Sequence, residues 1–217
     1  MDKKSLVLID TYLTTRFQRV KLNDSHSTWK EISRGVPQGL ILGPMLFNIF
    51  MNNLAFSIKE CNMINYADDT KIHKSDENLA VVEAQINQDL MNTNTWFKEN
   101  GMRPNTEKYQ ATILGPNKGE LNLNCGNTNI DTSESITLLG ITIDQKLKFD
   151  IHASNICRKV GRQVNVLNRL KNTLPIKMKE MCYLAFILPH FQYCNKSWHH
   201  CGQQNTEKWE KVNKRAL

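Results

Sequence analysis

Two aspartates stand side by side in the stretch "MINYADDTKIH", residues 63–73, between two short apolar runs. Two unit charges about 5 Å apart repel by roughly 3 kcal/mol at an effective dielectric constant near 20. Water and backbone N–H groups lower that repulsion, and a divalent cation lowers it most, because its charge exceeds that of either carboxylate. Asp68 and Asp69 are therefore candidate ligands for Mg²⁺ (or Mn²⁺) in phosphoryl-transfer chemistry, in which carboxylates and substrate phosphates share the ion.

The residues around the pair predict a short strand, a turn and a second short strand. Met63, Ile64 and Tyr66 precede the aspartates, and Thr70 and Ile72 follow them. A β-turn here would project both carboxylates past the strand ends into a cleft. The alternative is an ordinary exposed turn, in which Asp side chains accept hydrogen bonds from nearby N–H groups.

Upstream of this hairpin, the sequence predicts a short helix end, a β-hairpin, a loop and a second helix. Residues 4–14 predict a short helix end, and "FQRVKLN" and "TWKEISRGV" predict a β-hairpin around the turn residues "DSHS". The segment "VPQGLILGP" contains one Pro and two Gly residues ahead of its final Pro, and this composition predicts a loop. From Pro44 to about Lys59 the apolar positions predict a mostly buried helix, with Pro44 in its first turn.

The segment after the hairpin has the clearest helical periodicity in the chain. Ser75 or Asp76 can cap this helix, and Asn100 and Gly101 can end it. Its apolar face is predicted to hold Val82, Ile86, Leu90 and Phe97. Strand-like pieces follow at 109–114, 121–124 and 136–143. After about residue 147 the chain is predicted to be helical, with helices over 153–172 and 176–191 separated by Pro175.

Charge is unevenly distributed along the chain, whose formal net charge is +7. Residues 146–217 contain 14 Lys and Arg against 4 Asp and Glu, whereas residues 1–145 contain 14 against 17. A basic helical surface of this kind is either simply solvated or binds phosphates. The second interpretation places a phosphate-binding region after an acidic region that could bind metal.

Composition predicts a globular protein inside the cell. The chain is 40% hydrophobic and 23% charged over 217 residues. Its apolar runs are shorter than the roughly 18 residues that a membrane span needs, so no membrane association is expected. The N-terminal "MDKKSLVLID" has too few apolar residues for a signal peptide. We therefore expect an intracellular, non-secreted protein, with no indication of nucleus or cytoplasm.

A zinc site is an alternative function for the C-terminal region. The segment "PHFQYCNKSWHHC" contains His190, Cys194, His199, His200 and Cys201. These side chains are of the types that bind zinc, but the paired spacing of a structural zinc site is absent. A buried helix end is the competing interpretation of the same residues.

Several motifs, in order, resemble the reverse transcriptase of non-LTR (LINE-type, jockey-like) retrotransposons. "YADDT" at 66–70 and "RGVPQGLILGPMLFNIFMNNL" at 34–54 are the most specific. The resemblance continues through "NGMRPNTEKYQATILG", "LLGITID" and "LPHFQYCNKSW", and so covers nearly the whole chain. Each motif alone is weak, and their order and spacing make the resemblance specific.

The resemblance implies a fold and an activity. The fold would be α+β: a partial right-hand polymerase palm at 1–147, with an antiparallel sheet and packed helices, followed by a basic, helical, thumb-like region at 148–217. The activity would be RNA-directed DNA synthesis with two Mg²⁺ ions. The partners would be an RNA template, a DNA primer and deoxynucleoside triphosphates.

The resemblance also implies roles for individual residues. Asp68 would be a metal ligand with Asp69 in a supporting role, and Tyr66 would line the site near the primer end. Lys108 would lie near the departing pyrophosphate, as a candidate proton donor. The loop that positions template and nucleotide would comprise Gly35, Val36, Pro37, Gln38 and Gly39. Glycines there would let nucleic acid approach the backbone closely.

The chain departs from the family pattern in two places. Leu40 replaces a small residue after Gln38-Gly39, which would crowd or repack the loop. The strand that holds the family's other metal-binding aspartate is expected before residue 1, so Asp10 is not its equivalent. We therefore expect the chain alone to be marginally stable and catalytically weak, with the N-terminal part of a polyprotein as a partner. The alternative function is a non-catalytic, nucleic-acid-binding remnant of a retroelement.

Overall fold

The computed structural model describes residues 2–36, 39–116, 119–199 and 202–215, and the chain forms two compact units that divide between Arg103 and Pro104. Helices and antiparallel strand pairs make up both units, which confirms the α+β class. Within the described residues the strands form five separate two-stranded ladders, so the predicted single antiparallel sheet is not observed there. The functional boundary at residue 147 stays a prediction, because these units are defined by internal packing alone.

The first unit contains a helix, a long arm of paired strands, a second helix, the Asp-Asp hairpin and a third helix. Its elements are α1 (Lys3–Leu13), β1 (Phe17–Gln18), β2 (Lys21–Leu22), β3 (Ser25–His26), β4 (Lys30–Glu31), α2 (Leu42–Asn52), β5 (Asn62–Tyr66), β6 (Asp69–His73) and α3 (Leu79–Glu99). A 3₁₀ helix at Asn53–Ser57 follows α2 directly. Strand β1 pairs with β4, β2 with β3, and β5 with β6, which confirms both predicted hairpins.

The predicted burial of the second helix is wrong. Helix α2 begins at Leu42, before Pro44, and the helical segment is buried only at Gly43, Met51 and Leu54. Ile49 is 67% exposed. The helix carries apolar side chains on all of its sides. This pattern predicts a buried helix, but it does not identify the segment that would cover it. In the described part of the chain, only one side of α2 meets other elements.

The predicted helix after the hairpin is confirmed as α3, but its cap is not the one predicted. Asn78 is the N-cap, and its side-chain oxygen accepts a hydrogen bond from the N–H of Ala80 at 2.9 Å. Asp76 instead accepts a hydrogen bond from the N–H of Asn78 at 2.9 Å, and so forms the turn that leads into the helix. The helix packs against the 3₁₀ helix that contains Leu54, which is fully buried.

After a 3₁₀ helix at Thr106–Lys108, the second unit has short strands and then helices. Its elements are β7 (Leu123–Cys125), β8 (Thr128–Ile130), β9 (Ser135–Leu138), β10 (Ile141–Asp144), α4 (Asp150–Arg169), α5 (Ile176–Cys182), α6 (Leu188–Gln192), α7 (Asn195–Trp198) and α8 (Gln203–Lys214). The predicted strand at 109–114 is wrong, since that segment makes only an isolated bridge between Ala111 and Thr132. The predicted helix over 176–191 is divided by a π-helical turn at Tyr183–Ile187.

Two apolar clusters hold the second unit together. The first is formed by Ile141, Ala153, Trp198 and Trp209, and the second by Val160, Val164 and Ile187. Helix α4 contributes to both clusters, so one of its faces is the centre of this core. The opposite face of α4 is exposed to solvent. No helix in the described ranges combines the length and the apolar character that crossing a membrane requires.

Candidate functional site

The two aspartates lie at the tip of the β5–β6 hairpin. Tyr66 pairs with Asp69 across the strands, so Ala67 and Asp68 form a two-residue connection. Ala67 has a φ of +52°, and a positive φ at the first central residue is typical of the tight turns that match the twist of a hairpin. Asp68 therefore occupies the turn itself, and Asp69 is the first residue of the returning strand. The predicted strand–turn–strand geometry is confirmed.

The hairpin leaves both carboxylates open to solvent. Asp68 and Asp69 are exposed, and neither side chain makes a hydrogen bond or salt bridge with another described residue. Residues directly opposite in an antiparallel pair project to the same face. Tyr66, which is 65% exposed, therefore lies beside Asp69 on one face of the hairpin. The tip thus presents two neighbouring carboxylates and a phenol that other molecules can reach.

A buried carboxylate on α3 anchors the chain just before this hairpin. Asp89 is completely buried. Its two oxygens accept hydrogen bonds from three consecutive backbone N–H groups: Lys59 at 2.9 Å, Glu60 at 2.9 Å and Cys61 at 2.8 Å. These bonds fix the residues that lead into β5. Because β5 and β6 are continuous with that anchor, Asp89 fixes the base of the hairpin that presents Asp68 and Asp69.

The anchor is charged, and its neighbouring thiol is not. Burial alone would raise the pKa of Asp89, but the hydrogen bonds from the N–H groups of Lys59, Glu60 and Cys61 outweigh that effect and lower it. Burial, together with the hydrogen bond and charge of the adjacent Asp89 carboxylate, raises the pKa of the Cys61 thiol to about 11. Cys61 is therefore a neutral thiol near pH 7 and not a reactive thiolate.

Sequence reasoning missed Asp89, although a signal was available. Val82, Ile86 and Thr93 are spaced from Asp89 by seven, three and four residues, so all four lie on one side of α3. An aspartate on the core-facing side of a helix needs hydrogen-bond donors, because an isolated buried carboxylate is too costly. The position therefore indicated a structural partner, but not which segment supplied it.

Part of the predicted glycine loop is described, and its two glycines share an unusual backbone. Gly35 and Gly39 have φ values of +82° and +80°, which residues with a side chain rarely adopt. A Cβ atom built at either position would meet no heavy atom within 4 Å. The loop is tied to the preceding arm by Arg16, whose Nη2 donates to the carbonyl oxygen of Gly35 at 2.6 Å.

The remaining loop residues are partly outside the described structure. Val36 is half-buried, and Leu40, the departure from the family pattern, is 52% exposed. The exposure of Leu40 means that it does not crowd the described part of the loop. Pro37 and Gln38 lie outside the described residues. The predicted role of this loop toward template and nucleotide stays a prediction.

Lys108 belongs to the second unit. It is the last residue of a short 3₁₀ helix, Thr106–Lys108, and its side chain is exposed. Asn105 caps that helix, with its side-chain oxygen accepting a hydrogen bond from the N–H of Glu107 at 3.1 Å. Asn105, three residues before Lys108, thus has a local structural function. The role of Lys108 near a pyrophosphate stays a prediction.

The described side chains hold no cluster of three or more His, Cys, Asp or Glu residues that could enclose a metal ion. The Asp68–Asp69 pair offers hard carboxylate oxygens, which are the donors that Mg²⁺ and Mn²⁺ prefer. The zinc alternative includes His200 and Cys201, which lie outside the described residues. Of its other members, Cys194 is exposed, and Nε2 of His190 lies 3.2 Å from the amide nitrogen of Gln163.

Comparison with known proteins identifies the family. Residues 1–143 match the family model described as "Reverse transcriptase (RNA-dependent DNA polymerase)". The chain is 24% identical, over 97% of its length, to the "Probable RNA-directed DNA polymerase from transposon BS" of Drosophila melanogaster, and 25% identical, over 86%, to the "RNA-directed DNA polymerase from mobile element jockey" of the same species. It is 24% identical, over 76%, to a "Retrovirus-related Pol polyprotein from type-1 retrotransposable element R1 2" of Nasonia vitripennis.

Coverage of these relatives is partial. The chain spans 25% of the transposon BS protein, 22% of the jockey protein and 43% of the Nasonia protein. No solved structure matches the chain significantly. The family match covers the Asp-Asp hairpin, the glycine loop and the anchoring helix α3 in one continuous stretch. From that match and its relatives, the chain belongs to the reverse transcriptase family, in the group of non-LTR retrotransposons of the jockey and R1 type.

Proposed function

We propose that this chain contains part of the active site of an RNA-directed DNA polymerase. The reaction would join a deoxynucleoside triphosphate to the 3′ hydroxyl of a DNA primer paired with an RNA template. The observation that supports this most is the exposed Asp68–Asp69 pair at the tip of a hairpin whose base is fixed by the buried Asp89. An exposed pair on an anchored support can meet a substrate phosphate without first rearranging.

The donor set at the tip suits a divalent cation. Asp68 would bind Mg²⁺ or Mn²⁺ directly, and Asp69 would support it from the next position, since both supply carboxylate oxygens. When bound, the ions would stabilise the negative charge that develops on the transferred phosphate and its leaving group. The chain's own contribution is to keep the two carboxylates adjacent and accessible, which the tight turn at Ala67 and Asp68 does.

The other predicted residues would position the substrates. Tyr66 lies on the face of the hairpin next to Asp69, where its ring would pack near the primer end. The open side of Gly35 and Gly39 would let template or nucleotide approach the backbone. Lys108 would neutralise, or give a proton to, the departing pyrophosphate. Each of these roles follows from the family resemblance together with the exposure of the residue.

We further propose that the chain alone catalyses poorly. Two-metal catalysis needs ligands on both sides of the ion pair, and one hairpin tip supplies adjacent carboxylates from one side only. The remaining ligand would come from the N-terminal part of a longer polyprotein, in keeping with the chain's span of about a quarter of the transposon BS protein. The hairpin would therefore be necessary for catalysis but not sufficient for it.

Primer extension tests the proposal. The chain alone, on poly(rA) primed with oligo(dT) and with Mg²⁺ or Mn²⁺, should give no robust extension; robust extension by the pure chain would contradict the claim of dependence on further segments. A longer protein that includes the upstream region should extend the primer, and Asp68→Asn should reduce that rate about a hundredfold or more. Asp24→Asn, at the tip of the other hairpin, is the matched control and should leave the rate unchanged. Equal activity of wild type and Asp68→Asn would remove Asp68 from the site.

The helical region supports a second function, phosphate binding without catalysis. Arg158, Arg162 and Arg169 are exposed and spaced by four and seven residues, so they form a stripe along one side of α4. Val160 and Val164 are buried on the opposite side. A basic stripe opposite the core-facing residues is suited to the phosphates of a duplex. This surface would serve the polymerase as its thumb-like grip, or serve alone in a non-catalytic remnant.

The salt dependence of duplex binding tests that surface. If the region neutralises about five phosphates, the slope of log affinity against log salt concentration for an RNA–DNA hybrid should be about −4. Replacing Arg158, Arg162 and Arg169 by Ala should make the slope less steep by between about 2 and 3. A slope near zero for the wild-type chain would rule out nucleic-acid binding by residues 146–217.

A further inference from the structure

A second exposed surface lies on the strand arm of the first unit, here called the 17–31 arm. Strands β1 to β4 form this arm, and every one of its residues is exposed on both faces. Phe17 is 56% exposed and Trp29 is 60% exposed. Two large aromatic side chains on a strand pair with no packed face are costly to leave in water unless they bind something. The arm is far too small to form a core of its own.

One face of the arm combines these aromatic rings with cations. The guanidinium carbon of Arg19 lies 4.7 Å from the centre of the Trp29 ring, a cation–π contact. Alternation along the strand puts Phe17, Arg19 and Lys21 on the same face. His26 lies opposite Lys21 and so shares that face, as does Glu31, which lies opposite Phe17. Trp29 is held there by its contact with Arg19.

The β1–β4 register, continued by one residue, places Trp29 opposite Arg19, and the register shifts just beyond that pair. Gln18 pairs with Lys30, whereas Lys21 pairs with His26, so the second strand has one more residue than the first between these two pairs. An extra residue of this kind is a β-bulge. It lies at Thr28 and Trp29, because Gln18 pairs with Lys30 and the carbonyl of Val20 accepts a hydrogen bond from the N–H of Ser27. The stacked Arg19–Trp29 pair is therefore a product of the arm's own geometry.

The charge of the arm is opposite to that of its surroundings. Residues 17–31 contain three Lys or Arg against two Asp or Glu, whereas the rest of residues 1–145 contains 11 against 15. The salt bridge found in the described structure lies elsewhere, between Lys214 and Glu210. The arm's cations are thus available to an external anion. The apolar side chains Val20 and Leu22, which would favour a protein partner, alternate onto the other face.

We propose that the face formed by Phe17, Arg19, Lys21, His26 and Trp29 binds single-stranded nucleic acid. Flat aromatic rings accept unpaired bases by stacking, and cations beside them contact the phosphates between those bases. Arg16, at the base of the arm, bonds to the carbonyl of Gly35, so a strand lying along the arm is directed toward the glycine loop. Binding here needs neither a metal ion nor catalysis at Asp68, and so stands apart from the polymerase proposal.

The test measures binding of fluorescein-labelled dT₁₂ and rU₁₂ to the full chain in EDTA, by fluorescence anisotropy. Trp29→Ala should weaken binding about tenfold, and Trp29→Phe, which keeps a ring, should stay within about threefold of wild type. Arg19→Ala should weaken binding severalfold, and Arg19→Lys less. Val20→Ala, on the other face, is the matched control and should not change the affinity. Wild-type affinity in Trp29→Ala, or an equal loss in Val20→Ala, would overturn the proposal.

A second measurement locates the strand independently of any variant. Oligonucleotides that contain 5-bromouracil, photo-cross-linked to the wild-type chain, should give adducts on the peptide that contains Phe17 or Trp29. Adducts confined to residues 146–217 would show that single strands bind the basic helices instead, and would overturn the assignment. Absence of primer extension in the polymerase test leaves these outcomes unaffected, because EDTA removes the metal.

Discussion

Asp89 accepts a hydrogen bond from the backbone N–H of Cys61 at 2.8 Å, and Cys61 is the last residue before β5, the strand that leads into the turn at Ala67 and Asp68. One fully buried carboxylate on α3 thereby determines where the Asp-Asp hairpin starts. The hairpin contributes little burial of its own, since Ile64 and Tyr66 are both mostly exposed. Its position therefore depends on this anchor more than on a packed core.

Replacing the anchor should release the hairpin. Asp89→Asn leaves one side-chain acceptor for three N–H donors, and should lower the free energy of unfolding of the first unit by about 2–3 kcal/mol. Amide hydrogen exchange should accelerate at residues 59–73 in particular. Asp76→Asn is the matched control, because Asp76 is exposed and accepts a single N–H; it should cost less than about 1 kcal/mol. Unchanged exchange at 59–73 in Asp89→Asn would show that the anchor does not hold the hairpin.

The same carboxylate predicts an acid dependence of stability. The pKa of Asp89 is lowered in the folded state, so the folded protein binds this proton less readily than the unfolded chain, whose Asp pKa is about 3.9. The stabilisation is fully present above about pH 5 and is lost as the pH falls through the folded-state pKa. Urea unfolding of the wild type below pH 4 should show this loss. The slope of stability against pH in that range should be shallower for Asp89→Asn than for wild type, and equal slopes would contradict the prediction.

Replacing Ala67 by Gly should have the opposite effect on stability from replacing an alanine inside a helix by Gly. Ala67 has a φ of +52°, which costs a residue with a Cβ atom about 1 kcal/mol and glycine almost nothing. Ala67→Gly should therefore be neutral or stabilise the hairpin by up to about 1 kcal/mol. Ala84→Gly, at an exposed position inside α3, should destabilise by about 1 kcal/mol. Thermal unfolding of both variants would compare them, and destabilisation by Ala67→Gly comparable to that of Ala84→Gly would count against the strained turn.

Local pattern was enough to predict the hairpin and the long helix. Short apolar runs on both sides of the paired aspartates predicted two strands joined by a turn, and the structure puts Asp68 in that turn and Asp69 at the start of the returning strand. Helix α3 followed from its periodicity over many residues. The exposure of α2 and the lack of a regular strand at 109–114 could not be predicted in this way. Both depend on which distant segment, if any, lies against them.

For the same reason, the sequence identified some residues of the candidate site and missed others. The types and order of Tyr66, Asp68 and Asp69 identified the tip, since their chemistry is local. The function of Asp89 was not predicted because its partners are backbone N–H groups about 30 residues away. Every residue type except Pro has a backbone N–H group, so the sequence does not show which segment supplies the donors. Gly35 and Gly39 were predicted to form a loop that nucleic acid can approach closely, and their positive φ angles add a second reason for glycine at both positions.

A buried histidine should make the second unit sensitive to mild acid. His152 is 5% exposed, its Nδ1 accepts a hydrogen bond from the N–H of Thr142 at 3.3 Å, and its ring packs edge-on against Trp198. Burial lowers the pKa of His152. The unfolded chain therefore binds this proton more readily, so stability is present above about pH 6.5 and is lost as the pH falls below it toward the folded-state pKa.

Trp198 offers a probe of that loss. Tryptophan fluorescence of the chain, to which Trp198 contributes with three other Trp residues, should report a urea midpoint that decreases as the pH is lowered from 7 to 5. In His152→Phe, which removes the titrating group and keeps a ring, the midpoint should change less over the same range. A wild-type midpoint that is flat from pH 7 to pH 5 would contradict the assignment of His152 as a buried neutral imidazole.

Paramagnetic broadening by Mn²⁺ tests the central claim most directly, namely that the Asp68–Asp69 pair is a divalent-cation site. In amide NMR spectra of the chain, low concentrations of Mn²⁺ should broaden the signals of residues 66–70 first. Asp68→Asn should remove that selective broadening, and Asp24→Asn should not. Broadening that spreads evenly over exposed carboxylates, or that persists at residues 66–70 in Asp68→Asn, would contradict the account.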